Sequence, residues 1–120
     1  MFAHHMIAVV SLFFICLFAL PAGAAEPTVT LPRLVDLGAG KCIPCKKMAP
    51  ILKELTEEYK GRVVIKIIEV YQEREMTQAN RIRLIPTQIF FDSKNQEVFR
   101  HEGFMDKEEI KKVFDKMGVK

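Results

Sequence analysis

The chain has 120 residues, with 18 Lys and Arg against 15 Asp and Glu, a net charge of +3 and no tryptophan. That length holds one small domain and a leader. The charge is too balanced for a nucleic-acid surface, and no basic block stands apart from acidic neighbours, so no nucleic-acid partner is expected.

The first 25 residues carry no Lys, Arg, Asp or Glu, and Met6 to Leu20 is almost wholly apolar before Pro21 and Ala22-Gly23-Ala24-Ala25. As a helix this run spans roughly 22 Å, short of the ~30 Å hydrocarbon core of a bilayer. An apolar stretch ending in small residues has the form of a secretory signal peptide, although the usual basic start is missing. Extended through Ala25 it is the length of an uncleaved anchor. Residues 1–25 are therefore expected to be a signal peptide or N-terminal membrane anchor. Residues 26–120 form the exported domain, periplasmic or extracytoplasmic, and held by residues 6–25 if the leader stays. Cys16 follows Phe13-Phe14-Ile15, with no small residue before it for lipid attachment, and counts as apolar filler.

After an extended stretch, Glu26 to Pro32, the pattern Arg33 to Gly38 predicts a first strand, and Gly38-Ala39-Gly40 loosens the backbone after it. From Ile43 to Tyr59, the residues Met48, Ile51, Leu52, Leu55 and Tyr59 recur at helical spacing. Pro50 predicts a kink inside that helix and Gly61 its end. Arg62 to Tyr71 is rich in Val and Ile, as a buried parallel strand should be. A short helix fits somewhere in Gln72 to Arg83. Thr87 to Phe91 and Glu97 to His101 form a hairpin about the turn Asp92 to Asn95. Asp106 and Glu109 make a capping box for a last helix carrying Ile110, Val113, Phe114 and Met117, with Gly118 beyond it. The mixed charges of residues 53–60 and 107–112 predict solvated faces with i,i+4 pairs. The element order predicts an α/β fold, a four-stranded mixed sheet with helices on both faces.

Cys42-Ile43-Pro44-Cys45 falls between the first strand and the first helix, and holds the only cysteines outside the leader. Cys42 then sits at the positive end of a helix, where unpaired N–H groups favour a thiolate. A thiolate attacks disulfides, and a second thiol two residues further on can close the ring and release the product. As a staple the pair would gain little, because its loop is so short. A working redox pair is the stronger reading.

These residues resemble the thioredoxin superfamily, most specifically through Leu34 to Pro50 (LVDLGAGKCIPCKKMAP) and Arg83 to Phe91 (RLIPTQIFF). The resemblance covers about Arg33 to Met117 and, with so little chain before Arg33, implies a minimal thioredoxin fold. It makes Cys42 the attacking cysteine and Cys45 the resolving one. Asp36 becomes the buried acid behind Cys45, and Lys66 a lysine pairing with that acid. Pro86 becomes the cis-proline facing the disulfide, where the Ile85 backbone, with Thr87 beside it, pairs an extended substrate. Lys41, Ile43, Pro44 and Gly103 complete the substrate surface. Lys41 stands where the family has tryptophan and Ile43 where it commonly has glycine, changes that alter potential and fit.

The resemblance implies a thiol–disulfide oxidoreductase acting on protein disulfides. No metal or organic cofactor is needed, only the redox-active Cys42–Cys45 disulfide. A membrane-embedded dithiol carrier is implied as electron donor, and the chain is expected to act as a monomer. Reduction is favoured by Ile-Pro-Thr, yet a disulfide-introducing oxidant remains open. Members of the two kinds differ by roughly 150 mV, about 7 kcal/mol for two electrons. A Cys-based zinc or copper module is the reading from another class, although only His101 adds a good ligand outside the leader. A binding domain that keeps the fold without catalysis is a third.

Overall fold

The computed structural model describes residues 30–120. The leader, with His4, His5 and Cys16, and the start of the extended stretch at Glu26 lie outside the described residues. The elements run β1 (Arg33–Gly38), α1 (Ile43–Glu58), β2 (Val64–Glu69), α2 (Arg74–Ala79), β3 (Thr87–Phe91), β4 (Glu97–Glu102) and α3 (Lys107–Lys116). Among the described residues they build the expected α/β fold, with one four-stranded mixed sheet in the order β2-β1-β3-β4. β2 lies parallel to β1, whereas β1 with β3 and β3 with β4 are antiparallel.

Alternation along β1 sends its side chains to two different cores. Leu34 faces α1 and α3, joining Met48, Leu52, Leu55, Phe90, Ile110 and Phe114 in one buried cluster. Val35 and Leu37 face the other way, onto Ile68, Ile89 and the partly buried Ile82 and Ile85. Helices therefore flank both faces, but unequally. α2 buries none of its residues, and the second face is closed largely by the segment that follows it.

The capping box opens α3 as expected, with Asp106 accepting from the Glu109 N–H and Glu109 accepting in return from that of Asp106. α1 runs through Pro50 as one helix, and Gly61 beyond it takes φ +79°, a conformation glycine adopts without penalty. Asn95 takes φ +65° in the hairpin turn, where Asp92 Oδ1 accepts from the N–H groups of Lys94 and Gln96.

Two expectations are corrected. Among the described residues β2 is an edge strand rather than a buried one: it pairs there only with β1, and Val64 and Ile67 are exposed. Its Val and Ile content marks β geometry without specifying cover on both sides. The charged faces of α1 and α3 pair across the two helices instead of along them. Lys107 reaches Glu54 at 2.7 Å and Glu58 at 3.1 Å, and Lys111 reaches Glu58 at 2.9 Å. The packing of α3 on α1 brings these side chains closer together than their own helical neighbours do.

Phe114 is fully buried, with its ring centroid 4.7 Å from that of Tyr59 and 5.7 Å from that of Phe90. Phe114→Ala should therefore cost about 3–5 kcal/mol of unfolding free energy. Urea denaturation of the oxidised protein measures it, and a loss below about 1 kcal/mol would contradict this packing.

Candidate active site

The link from β1 to α1 is short and tied at several points. The Cys42 N–H donates to the Ala39 carbonyl at 3.1 Å, and the Val70 N–H donates to the Gly38 carbonyl at 3.0 Å. Glu69, at the end of β2, accepts from the Gly40 N–H at 2.8 Å. These bonds fix where α1 starts relative to the sheet. Cys42 is the N-cap of α1, in extended conformation (φ −78°, ψ 122°), and its Sγ accepts from the Cys45 N–H at 3.3 Å. Sulfur thus occupies the position that a Ser or Asp oxygen takes in an ordinary cap.

Cys42 and Cys45 are disulfide-bonded, with Cα atoms 5.2 Å apart. Their surroundings differ. Cys42 is half-buried beside exposed Lys41 and Ile43, whereas Cys45 is buried with 8% exposure. Pro44 occupies the first turn of α1, where its missing N–H costs nothing. The first turn contains no acidic residue, and Lys41, Lys46 and Lys47 give the helix start a positive setting.

Behind Cys45 lies Asp36, 3% exposed and on the α1 side of β1. Burial raises its pKa above the ordinary carboxylate value, and a hydrogen bond from Gln88 partly opposes that. A Cβ added to Gly38 would lie 3.1 Å from Cys45 Sγ and 3.7 Å from Asp36 Oδ2. Only a residue without a side chain leaves the approach between acid and sulfur open. A cavity of about 180 Å³ adjoins them, lined by Asp36, Gly38, Cys45, Lys46, Ile67 and Glu69 among others.

The Ile85–Pro86 peptide bond is cis. Ile85 and Cys42 both pack against the cluster of Val35, Leu37, Ala39, Ile68, Val70 and Ile89, so the proline segment and the first cysteine share one support. The Pro86 carbonyl accepts from the Gly103 N–H at 2.7 Å, and Gly103 takes φ +100°. Thr87 is fully buried and its hydroxyl donates to the Leu84 carbonyl at 2.7 Å, so its side chain holds the segment from beneath and offers nothing at the surface.

Lys66 does not join the acid. Asp36 lies opposite Ile67 in the parallel register, and Lys66 lies opposite Val35 on the other face. There its Nζ meets Met76 Sδ of α2 at 3.2 Å. The expected Asp36–Lys66 pair fails by one residue, and in a strand one residue reverses the face.

Sequence reasoning missed Gln88, whose Nε2 donates to Asp36 Oδ1 at 2.9 Å, and the open space at Gly38. A polar side chain within the apolar run of Thr87 to Phe91 was a signal for the first, but only strand register shows which residue it meets. His101 faces the Phe104 carbonyl at 3.0 Å. Among the described residues no group of three or more His, Cys, Asp and Glu is arranged to hold a metal ion.

A buried acid with a raised pKa binds its proton more tightly folded than unfolded. The stability this contributes is whole below about pH 4 and is lost as pH climbs through the folded-state value. Asp36→Asn should therefore be more stable than the parent at pH 8, with the advantage closing towards pH 4. Urea titrations at both pH values measure this, and an equal difference at each would contradict it.

Known proteins are similar to this chain in sequence and in fold. A family model described as Thioredoxin matches residues 28–116. Thioredoxins of Staphylococcus aureus strains Mu50 and MW2 are each 37% identical over 84 residues, covering 70% of this chain and 80% of theirs. The crystal structure of Deadhead, a germline-specific thioredoxin of Drosophila melanogaster, superposes with a TM-score of 0.64 at 27% identity. That match covers 72% of this chain and 80% of the fly protein.

Proposed function

The chain belongs to the thioredoxin family and is a thiol–disulfide oxidoreductase, and from that premise we propose that it reduces disulfides of exported proteins. The observation that carries this reading is the asymmetry of the pair. Cys42 Sγ caps α1 within reach of solvent, while Cys45 is buried against Asp36.

In the dithiol form, the helix N-terminus and Lys41 favour a thiolate at Cys42. That thiolate attacks one sulfur of a protein disulfide, displacing the other as a thiolate, and a mixed disulfide forms. Cys45 gives its proton to Asp36 or water and attacks Cys42 Sγ. The Cys42–substrate bond breaks, the substrate leaves with a thiolate that takes up a proton, and the Cys42–Cys45 disulfide closes. Two electrons pass from the dithiol to the substrate without a metal or organic cofactor. An extended substrate segment lies along the Ile85 backbone beside Pro86 and Gly103, against Lys41, Ile43 and Pro44.

Residues 1–25 serve as signal peptide or anchor, and residues 26–120 work outside the cytoplasm as a monomer. Electrons for the next round then have to cross the membrane, which calls for a membrane-embedded dithiol donor. The Ile85-Pro86-Thr87 segment and the likeness to thioredoxins support the reducing direction over the oxidising one.

Cys42→Ser should abolish reduction of insulin disulfides. Cys45→Ser should instead accumulate a covalent substrate adduct that dithiothreitol releases. Parent-like insulin reduction by the Cys42→Ser protein would sink the proposal and favour a binding domain.

A further inference from the structure

Asp36 is a buried acid whose only side-chain hydrogen bond among the described residues comes from a neutral group. β1 and β3 run antiparallel with Asp36 directly opposite Gln88, so the two side chains emerge on the same face. Gln88 is fully buried, its Nε2 lies 2.9 Å from Asp36 Oδ1, and its Oε1 has no hydrogen-bond partner among the described residues. A buried amide with one end committed and the other free is the expensive way to fill an apolar strand position. An apolar side chain of similar volume would satisfy the packing alone.

We propose that Gln88 is a positioning residue for the resolving step, its amide donating to Asp36 as a carboxylate and accepting from it once it holds the Cys45 proton. The inference rests on the proposed role of Asp36 as proton acceptor. While Asp36 is ionised, Nε2–H stabilises the charge that burial opposes. When the proton leaves Cys45 sulfur and arrives on Asp36 Oδ2, a half-turn of the carboxyl carries the new O–H to the Gln88 side, and a half-turn of the amide brings Oε1 to accept from it. No charge is created on Gln88, and the sulfur is left as the attacking thiolate. The amide suits both states, whereas a lysine there would suit only the first.

The other charged and titratable groups around Asp36 are few. Cys45 and Lys46 come from α1, and Glu69 of β2 lines the same cavity while accepting from the N–H of Gly40. On β4, His101 lies opposite Gln88, with its Nε2 on the Phe104 carbonyl. None of them makes a side-chain hydrogen bond to Asp36, which leaves Gln88 as the group that adjusts it.

Two measurements on the whole protein test the proposal, each with Gln88→Met and Gln88→Leu so that one poorly folded variant does not decide it. Carbon-13 NMR of the Asp36 carboxyl is followed against pH in the oxidised form, where Cys45 does not titrate. Both variants should titrate Asp36 at higher pH than the parent does. Stopped-flow release of a thiol from the mixed disulfide should slow about tenfold at neutral pH, the effect of one hydrogen bond to a charged group. The acid limb of its pH profile should move to higher pH, and in an Asp36→Asn background the Gln88 substitutions should change nothing. An unmoved Asp36 titration, or an equal slowing with and without Asp36, would overturn the role of Gln88. Release as fast in Asp36→Asn as in the parent would instead remove Asp36 as the acceptor, and Gln88 with it.

Discussion

The chemistry depends on one contact, the Cys45 N–H donating to Cys42 Sγ at the start of α1. It puts a sulfur where the first turn of a helix leaves its N–H groups unpaired, and so couples the reactivity of Cys42 to the position of that helix. The position is set from below. Hydrogen bonds from Val70 to Gly38 and from Gly40 to Glu69 tie the strand-to-helix link to the end of β2. The 16-residue α1 then packs Met48, Leu52 and Leu55 onto the sheet and α3. Loosening any of these moves the cap, and moving the cap alters the thiolate.

The second constraint is the carboxylate kept inside. Placing Asp36 on the α1 face of β1 costs stability as an ion, which is why burial raises its pKa. The fold tolerates it through three local choices. Gln88 gives it a hydrogen bond, Gly38 leaves the space between acid and sulfur unfilled, and the adjoining cavity opens beside Glu69 and Lys46. A residue chosen for packing alone would have closed each of these. The same strand thus supplies core contacts through Val35 and Leu37 on one face and, on the other, through Leu34 with the buried acid Asp36 beside it.

Much of this was legible in the sequence wherever the signal is local. The range of β1, the hairpin turn, the capping box of α3 and the Cys42–Cys45 pair each follow from a few neighbouring residues, and the structure has them there. The cis bond before Pro86 came from the family resemblance. What depended on register was not legible. Lys66 was expected beside Asp36, but the parallel pairing puts Ile67 there. Gln88 was unremarked because its partner lies 52 residues away across the sheet. The apolar run of β2 suggested burial, and nothing within it indicates that the strand lies at the edge of the sheet that the described residues form. The charged faces of α1 and α3 were distinct, but their partners became visible only once the helices were packed.

The reduction potential of the Cys42–Cys45 couple, equilibrated in defined thiol buffers, tests the account most directly. A reductase should come to equilibrium near about −270 mV, with the disulfide the stable form. A value near about −120 mV would contradict the reducing direction, since a couple whose dithiol is stabilised to that degree takes electrons from substrate thiols into its disulfide instead of supplying them.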